Sequence, residues 1–171
     1  MPIRETDFFY GVVLFRLTEG SVPVSVAQLS CDTRGAYLVD NKAPLFIKYT
    51  SKRLSPWSFS FTREQQEEIL RAKTEYGAVF VALVCGHDGI CCLSFDQLKC
   101  VLDHVHEDVE WVRVSRRRKE SYSVKGADGE LRGKISDIDF PRVLLQTLSG
   151  TANRSLQKSI TLPLPAPTRS S

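Results

Sequence analysis

The stretch Ala78 to Cys85, AVFVALVC, is apolar at every position and carries no charge. A strand with no polar face has nothing to present to water, so it belongs inside a sheet covered on both faces. The sequence AVFVALVC therefore points to an α/β architecture, with a mixed central sheet flanked by helices and this strand at its centre. A chain of 171 residues with 42% hydrophobic content can bury one core of that kind, which predicts a single domain over residues 1–150.

The rest of the chain reads around that strand. Phe9, Val12, Val13, Arg16 and Leu17 recur at helical spacing between residues 5 and 19, and Gly20 follows as a stop. VPVSVAQL (22–29) alternates as a strand does, and AYLV (36–39), DNKA and PLFIKYT (44–50) read as a hairpin. Thr62 followed by Gln65 is a capping box, Glu64 suits the positive end of a helix, and Gly77 ends it.

GHDG turns the apolar strand into ICCLSF (90–95). A short helix (96–105) and a strand EWVRVS (110–115) follow. Next come the basic loop RRRKE and a hairpin over 121–135 turning at ADG. A final helix near 140–148 is capped by Asp139 or Asp137. Residues 151–171, rich in Ser, Thr and Pro, are expected to be a disordered tail.

Charge selects no partner class. The net charge of +3 equals the contribution of Arg154, Lys158 and Arg169 in the acid-free tail, so residues 1–150 balance to zero. The chain has no apolar run of spanning length and no basic-then-apolar leader at MPIRETDFFY, which predicts a cytoplasmic protein with no membrane partner. Five cysteines, an odd number, then read as reduced and mostly buried thiols. Cys85, His87, Cys91, Cys92, Cys100, His104 and His106 fall close together. Zinc sites use close pairs on loops, whereas Cys85, Cys91 and Cys92 lie in strand runs and Cys100 on a helix, so no metal site is expected. No order of Cys, His and acid marks a nucleophile either.

The order of helix, strand, hairpin, helix, apolar strand and hairpin over residues 5–95 resembles the PD-(D/E)xK nuclease superfamily, most closely its archaeal Holliday-junction resolvases. The matching pieces are ETDFFYGVVLFRL, GAYLVDNKAPLFIKYTSK and REQQEEILRAKTEYGAVFVALV. The resemblance implies a restriction-endonuclease-like core with an extra C-terminal hairpin and helix. It also implies a site with an N-terminal Glu, an Asp on the first hairpin strand, an acid-x-Lys triplet on the second and a Gln-bearing helix after it. That chemistry needs two carboxylates on a hard divalent cation and a lysine to stabilise charge developing on the phosphate.

Here the triplet reads Phe46-Ile47-Lys48, and phenylalanine cannot ligate a metal. The first-strand acid falls at Ala36 or Tyr37, so Lys48 alone fits. Either the ligands have moved, with Asp40 or Asp32 joined by Glu5, Asp7 or Glu64 around Mg²⁺, or the fold is kept and catalysis lost.

Two basic segments serve a binding reading. Lys52, Arg53 and Trp57 share a proline-containing loop, as phosphate contact plus base stacking requires, although Trp57, Phe59 and Phe61 also alternate like a core-packing strand. Arg116, Arg117 and Arg118 form the densest charge run. The leading expectation is a non-catalytic binding or accessory protein that needs no cofactor. It would contact nucleic acid or an acidic protein through Lys52, Arg53, Trp57, Arg116, Arg117 and Arg118. The enzymatic alternative is a Mg²⁺-dependent nuclease using Lys48 and Asp40, and a third reading is a subunit whose hairpins pair with another protein.

Overall fold

The computed structural model describes the backbone of residues 1–160 and the side chains of residues 1–150. Its elements run α1 (Glu5–Thr18), β1 (Val26–Gln28), β2 (Ala36–Val39), β3 (Ala43–Thr50), β4 (Trp57–Thr62), α2 (Arg63–Tyr76), β5 (Phe80–Cys85), β6 (Gly89–Ser94), α3 (Phe95–Val101), β7 (Val109–Ser115), β8 (Ser123–Gly126) and α4 (Asp139–Ile160). This is a mixed α/β fold built on a five-stranded open sheet in the order β1-β2-β3-β5-β6. Its β3 and β5 run parallel, from Leu45 opposite Phe80 to Thr50 opposite Cys85, and the other neighbours are antiparallel. A parallel pair needs a long crossover, which β4 and α2 supply.

Local chemistry sets the crossover's ends. The Thr62 hydroxyl accepts from the Gln65 amide while the Gln65 side chain accepts from the Thr62 amide, and Gly77 closes α2 in the left-handed conformation at φ 80°. Left-handed backbone also turns the first hairpin, with Asp40 and Asn41 at φ 49° and 53°, as short polar side chains tolerate.

The uncharged β5 is buried at all six of its positions. Phe80, Ala82 and Val84 face a core made with Phe9, Val13 and Leu17 of α1 and Phe140, Leu144 and Leu148 of α4. Val81, Leu83 and Cys85 face a second core with α2, α3 and the remaining strands. Each fully buried Val or Leu contributes roughly 1.5–3 kcal/mol by leaving water.

Five details depart from the sequence expectations. The middle of the sheet is β3, with β5 beside it and β6 at the edge. A separate three-stranded antiparallel sheet, β4-β7-β8, covers one face of the first, so the sheet is not single. The strand expected over 22–29 pairs only at Val26–Gln28. The hairpin over 121–135 gives one strand, β8, whose partner is β7, and its return arm makes isolated bridges, Lys125 with Glu130 and Tyr122 with Ile135.

The fifth is the helix expected to reach residue 105. It ends at Val101 because the Val101 carbonyl accepts the Asp128 amide at 3.0 Å from the abutting hairpin. At the C-terminus α4 runs to Ile160, past the residue 151 boundary drawn for the tail, and residues 161–171 lie outside those described. Among the described residues no helix is long and apolar enough to cross a membrane.

Candidate functional site

The alternation of β3 sends Phe46 into the second core and brings Lys48 out beside it, under the first turn of α2. Phe46 is 2% exposed, so the residue in the triplet's acid position is a core side chain. The Lys48 ammonium donates to Gln65 Oε1 at 2.9 Å and stands 4.7 Å from the centroid of the Phe61 ring. Burial pushes its pKa down from 10.5 to about 8. A cleft of about 650 Å³ opens there, lined also by Asp32, Glu64, Glu68, Arg34 and Arg71.

Glu68, Asp32 and Glu64 bring carboxylates to the cleft around Lys48. Glu68 accepts from the Asp32 amide at 2.8 Å, the Thr33 amide at 3.0 Å and the Thr33 hydroxyl, which ties the 31–34 loop to α2. Burial pushes its carboxyl up, and these hydrogen bonds outweigh the burial and leave it below the ordinary range. Asp32 and Glu64 reach the same cleft, and both are exposed.

The other proposed ligands lie elsewhere. Glu5 lines a different cleft, of about 740 Å³, between α1 and the 86–90 turn, and Asp7 pairs with Arg4. Asp40, put forward as a partner of Lys48, sits in the hairpin turn at the opposite end of β3. About 16 Å of extended strand separates Ala43 from Lys48, and the Asp40 carboxylate is held by the Ser25 amide at 2.7 Å. Asp40 and Lys48 therefore do not form one site. Among the described residues, no three metal-ligating side chains gather around Lys48.

The candidate binding residues divide into two groups. Trp57 is 2% exposed, donates its indole N–H to the Lys52 carbonyl at 2.9 Å and meets Tyr122 edge-on, so it is a core residue and cannot stack on a base. Arg116 is also structural. Its Nε lies 2.7 Å from Asp88 Oδ2, off the N–H axis, as an ion contact. Its Nη1 donates to Asp137 Oδ2 at 3.1 Å, and its guanidinium lies 4.4 Å over the Tyr122 ring.

Lys52, Arg53, Arg117 and Arg118 are exposed. Pairing of Trp57 with Val114, and the Arg116 amide donating to Ser55 Oγ at 3.1 Å, set their two loops side by side. Gly86 closes the group from below, since a Cβ there would collide with the Lys52 carbonyl.

Sequence reading missed that Gln65, recognised as a cap, also anchors Lys48. The signal was its place at the start of the helix following the Lys48 strand. It also missed Glu68 as the staple of the 31–34 loop, which no local pattern marks.

Cys85, Cys91 and Cys92 are buried and every cysteine is free. Burial pushes Cys85 and Cys92 up to about 12, far from thiolate reactivity. Comparison with protein-family models, with curated proteins and with solved structures finds no match for this chain.

Proposed function

We propose that the protein is a non-catalytic, nuclease-like-fold binding protein that grips a nucleic-acid backbone through Lys52, Arg53, Arg117 and Arg118. The observation that carries this reading is the joining of two sequence-distant basic loops at one end of the β4-β7 ladder. Neighbouring acids offset little of that charge, because Asp88 and Asp137 share Arg116 and Glu120 pairs with Lys134, which leaves one negative charge against four cations. Among the described residues Arg53, Arg117 and Arg118 make no ion pair and are free to meet phosphates.

The order α1, β1, the β2-β3 hairpin, β4, α2 and β5, in which β4 belongs to the second sheet, supports the likeness to PD-(D/E)xK nucleases, as does Lys48 held by a glutamine of the following helix. Phe46 in the acid position supports the loss of cleavage chemistry.

The test is binding of duplex and single-stranded DNA and RNA by the wild type, by Lys52→Ala/Arg53→Ala and by Arg117→Ala/Arg118→Ala, across a salt series with and without EDTA. Each double variant should weaken binding on the order of tenfold at low salt and reduce the salt slope by about 2, at ~0.9 per lost phosphate contact. EDTA should change nothing. Mg²⁺-dependent cleavage that Lys48→Ala abolishes would establish the nuclease reading, with Asp32 and Glu64 the carboxylates to examine. No affinity at low salt would leave an acidic protein as the partner.

A further inference from the structure

The face of β7 that buries Val112 and Val114 also buries Glu110. Glu110 is 3% exposed; its Oε2 accepts from the Gln66 amide at 2.5 Å, and its Oε1 has no hydrogen-bond partner. Gln66, 1% exposed on α2, likewise keeps Oε1 without a partner. Buried oxygens without a donor are costly unless something positive meets them.

Two aspartates converge on the same point. Asp103 follows α3 and Asp128 follows β8, and one oxygen each from Asp103, Glu110 and Asp128 lie within 4.8 Å of one another. The Asp103 amide donates to Asp128 Oδ2 at 3.0 Å and the Val105 amide to Asp103 Oδ1 at 2.7 Å. Each aspartate is thus oriented through one oxygen, and the Asp128 carboxyl stands within hydrogen-bond reach of Glu110.

Among the described residues Lys99 stands at the edge of this group; its ammonium donates to the Asp103 carbonyl at 3.0 Å and lies 3.4 Å from His106 Nε2. With Glu110 ionised, three carboxylates against one ammonium leave two negative charges in excess, and a divalent cation would balance them. In the absence of that balance, burial beside Asp128 pushes the Glu110 carboxyl up.

We propose that Asp103, Glu110 and Asp128 form a binding site for a hard divalent cation, calcium the best fit, with Gln66 beside it as a neutral oxygen. All donors are oxygens, as hard cations require, and calcium accepts an irregular oxygen cage where magnesium demands a near-ideal octahedron. The ion pins the loop after α3 and the turn after β8 to buried Glu110, and so joins α2, α3 and the second sheet. None of Asp103, Glu110, Asp128 and Gln66 lines the Lys48 cleft.

The experiment uses the full chain cleared of metal with EDTA. It measures thermal melts in millimolar Ca²⁺, Mg²⁺ and Mn²⁺, and terbium luminescence sensitised by Trp111, the neighbour of Glu110. Calcium should raise the melting temperature by ~4 °C or more and displace terbium, with magnesium weaker. Glu110→Gln and the exposed Asp128→Asn should each lose both responses, while Lys52→Ala/Arg53→Ala keeps them. In metal-free buffer Glu110→Gln should melt no lower than the wild type, because it removes a buried charge. A wild type indifferent to all three cations and dark with terbium would overturn the site and assign Glu110 a proton shared with Asp128. A response surviving in both carboxylate variants would overturn it equally.

Discussion

The two sheets solve the burial problem in different ways. In the five-stranded sheet β5 is dry on both faces, whereas in the three-stranded sheet β4 and β7 alternate, with Trp57, Phe59, Phe61, Val112 and Val114 inside and Ser58, Ser60, Trp111 and Arg113 outside. A strand covered twice has no position that tolerates charge. A strand covered once tolerates it at every second residue, and that outer face and its loops are where a protein can vary its surface without disturbing its core. The basic loops lie at the end of the singly covered sheet, and Lys48 sits where the doubly covered one runs out.

The largest expected effect breaks the first sheet. Val81 is 0% exposed on an interior strand, so Val81→Asp should leave no cooperative thermal transition; a folded, soluble variant would mean β5 has a wet face after all. In the second sheet one strand should give opposite answers at its inward and outward positions. Trp57→Ala removes a buried indole and its bond to the Lys52 carbonyl and should cost about 3–5 kcal/mol, while Ser60→Ala should stay within about 0.5 kcal/mol, both by denaturant unfolding. Similar values at both sites would erase the distinction between the sheets.

The smallest effect probes the junction. Because burial lowers the Lys48 pKa in the fold to about 8, the unfolded chain holds that proton to higher pH, and this group makes the wild type more stable as pH rises from about 8 to 10.5. Below pH 8 the charge is a constant penalty. Lys48→Met should therefore be the more stable chain there by roughly 1 kcal/mol, a figure reduced for the partial exposure and the lost Gln65 bond, and the gap should close toward pH 10.5. Taking the difference between the two proteins cancels the buried tyrosines and cysteines, which in the unfolded chain titrate in the same range. A gap that stays constant with pH would place the ammonium in water.

What could be read from the sequence follows the range of the interactions. The Thr62–Gln65 capping box, the left-handed Gly77 and the turn at Asp40 and Asn41 are fixed by neighbours a few residues apart, and each appears in the structure. The dry strand was readable because its burial is written in every residue. The second sheet was not, because β4 and β7 are joined only by the fold, and WSFSF served equally well as a loop carrying an exposed tryptophan or as a strand with an apolar face.

The candidate site divides along the same line. Lys48 is legible from its position on the hairpin. That Trp57 and Arg116 are consumed by Tyr122, Asp88 and Asp137 depends on residues far away in the chain.

One oxygen links the helix cap and the pocket. Gln65 Oε1 accepts from the Thr62 amide at 3.2 Å and from the Lys48 ammonium at 2.9 Å. The start of the crossover helix and the Lys48 ammonium in the cleft therefore share a single acceptor, and neither can change its hold on it without the other registering the change. An anion drawing the ammonium outward would leave that oxygen wholly to the cap and tighten the first turn; an alanine at residue 65 would fray the turn and release the lysine together. Glutamate has an acceptor at the same reach and would convert both contacts into charged ones. The residue works as a hinge pin between two elements that otherwise report to different parts of the molecule.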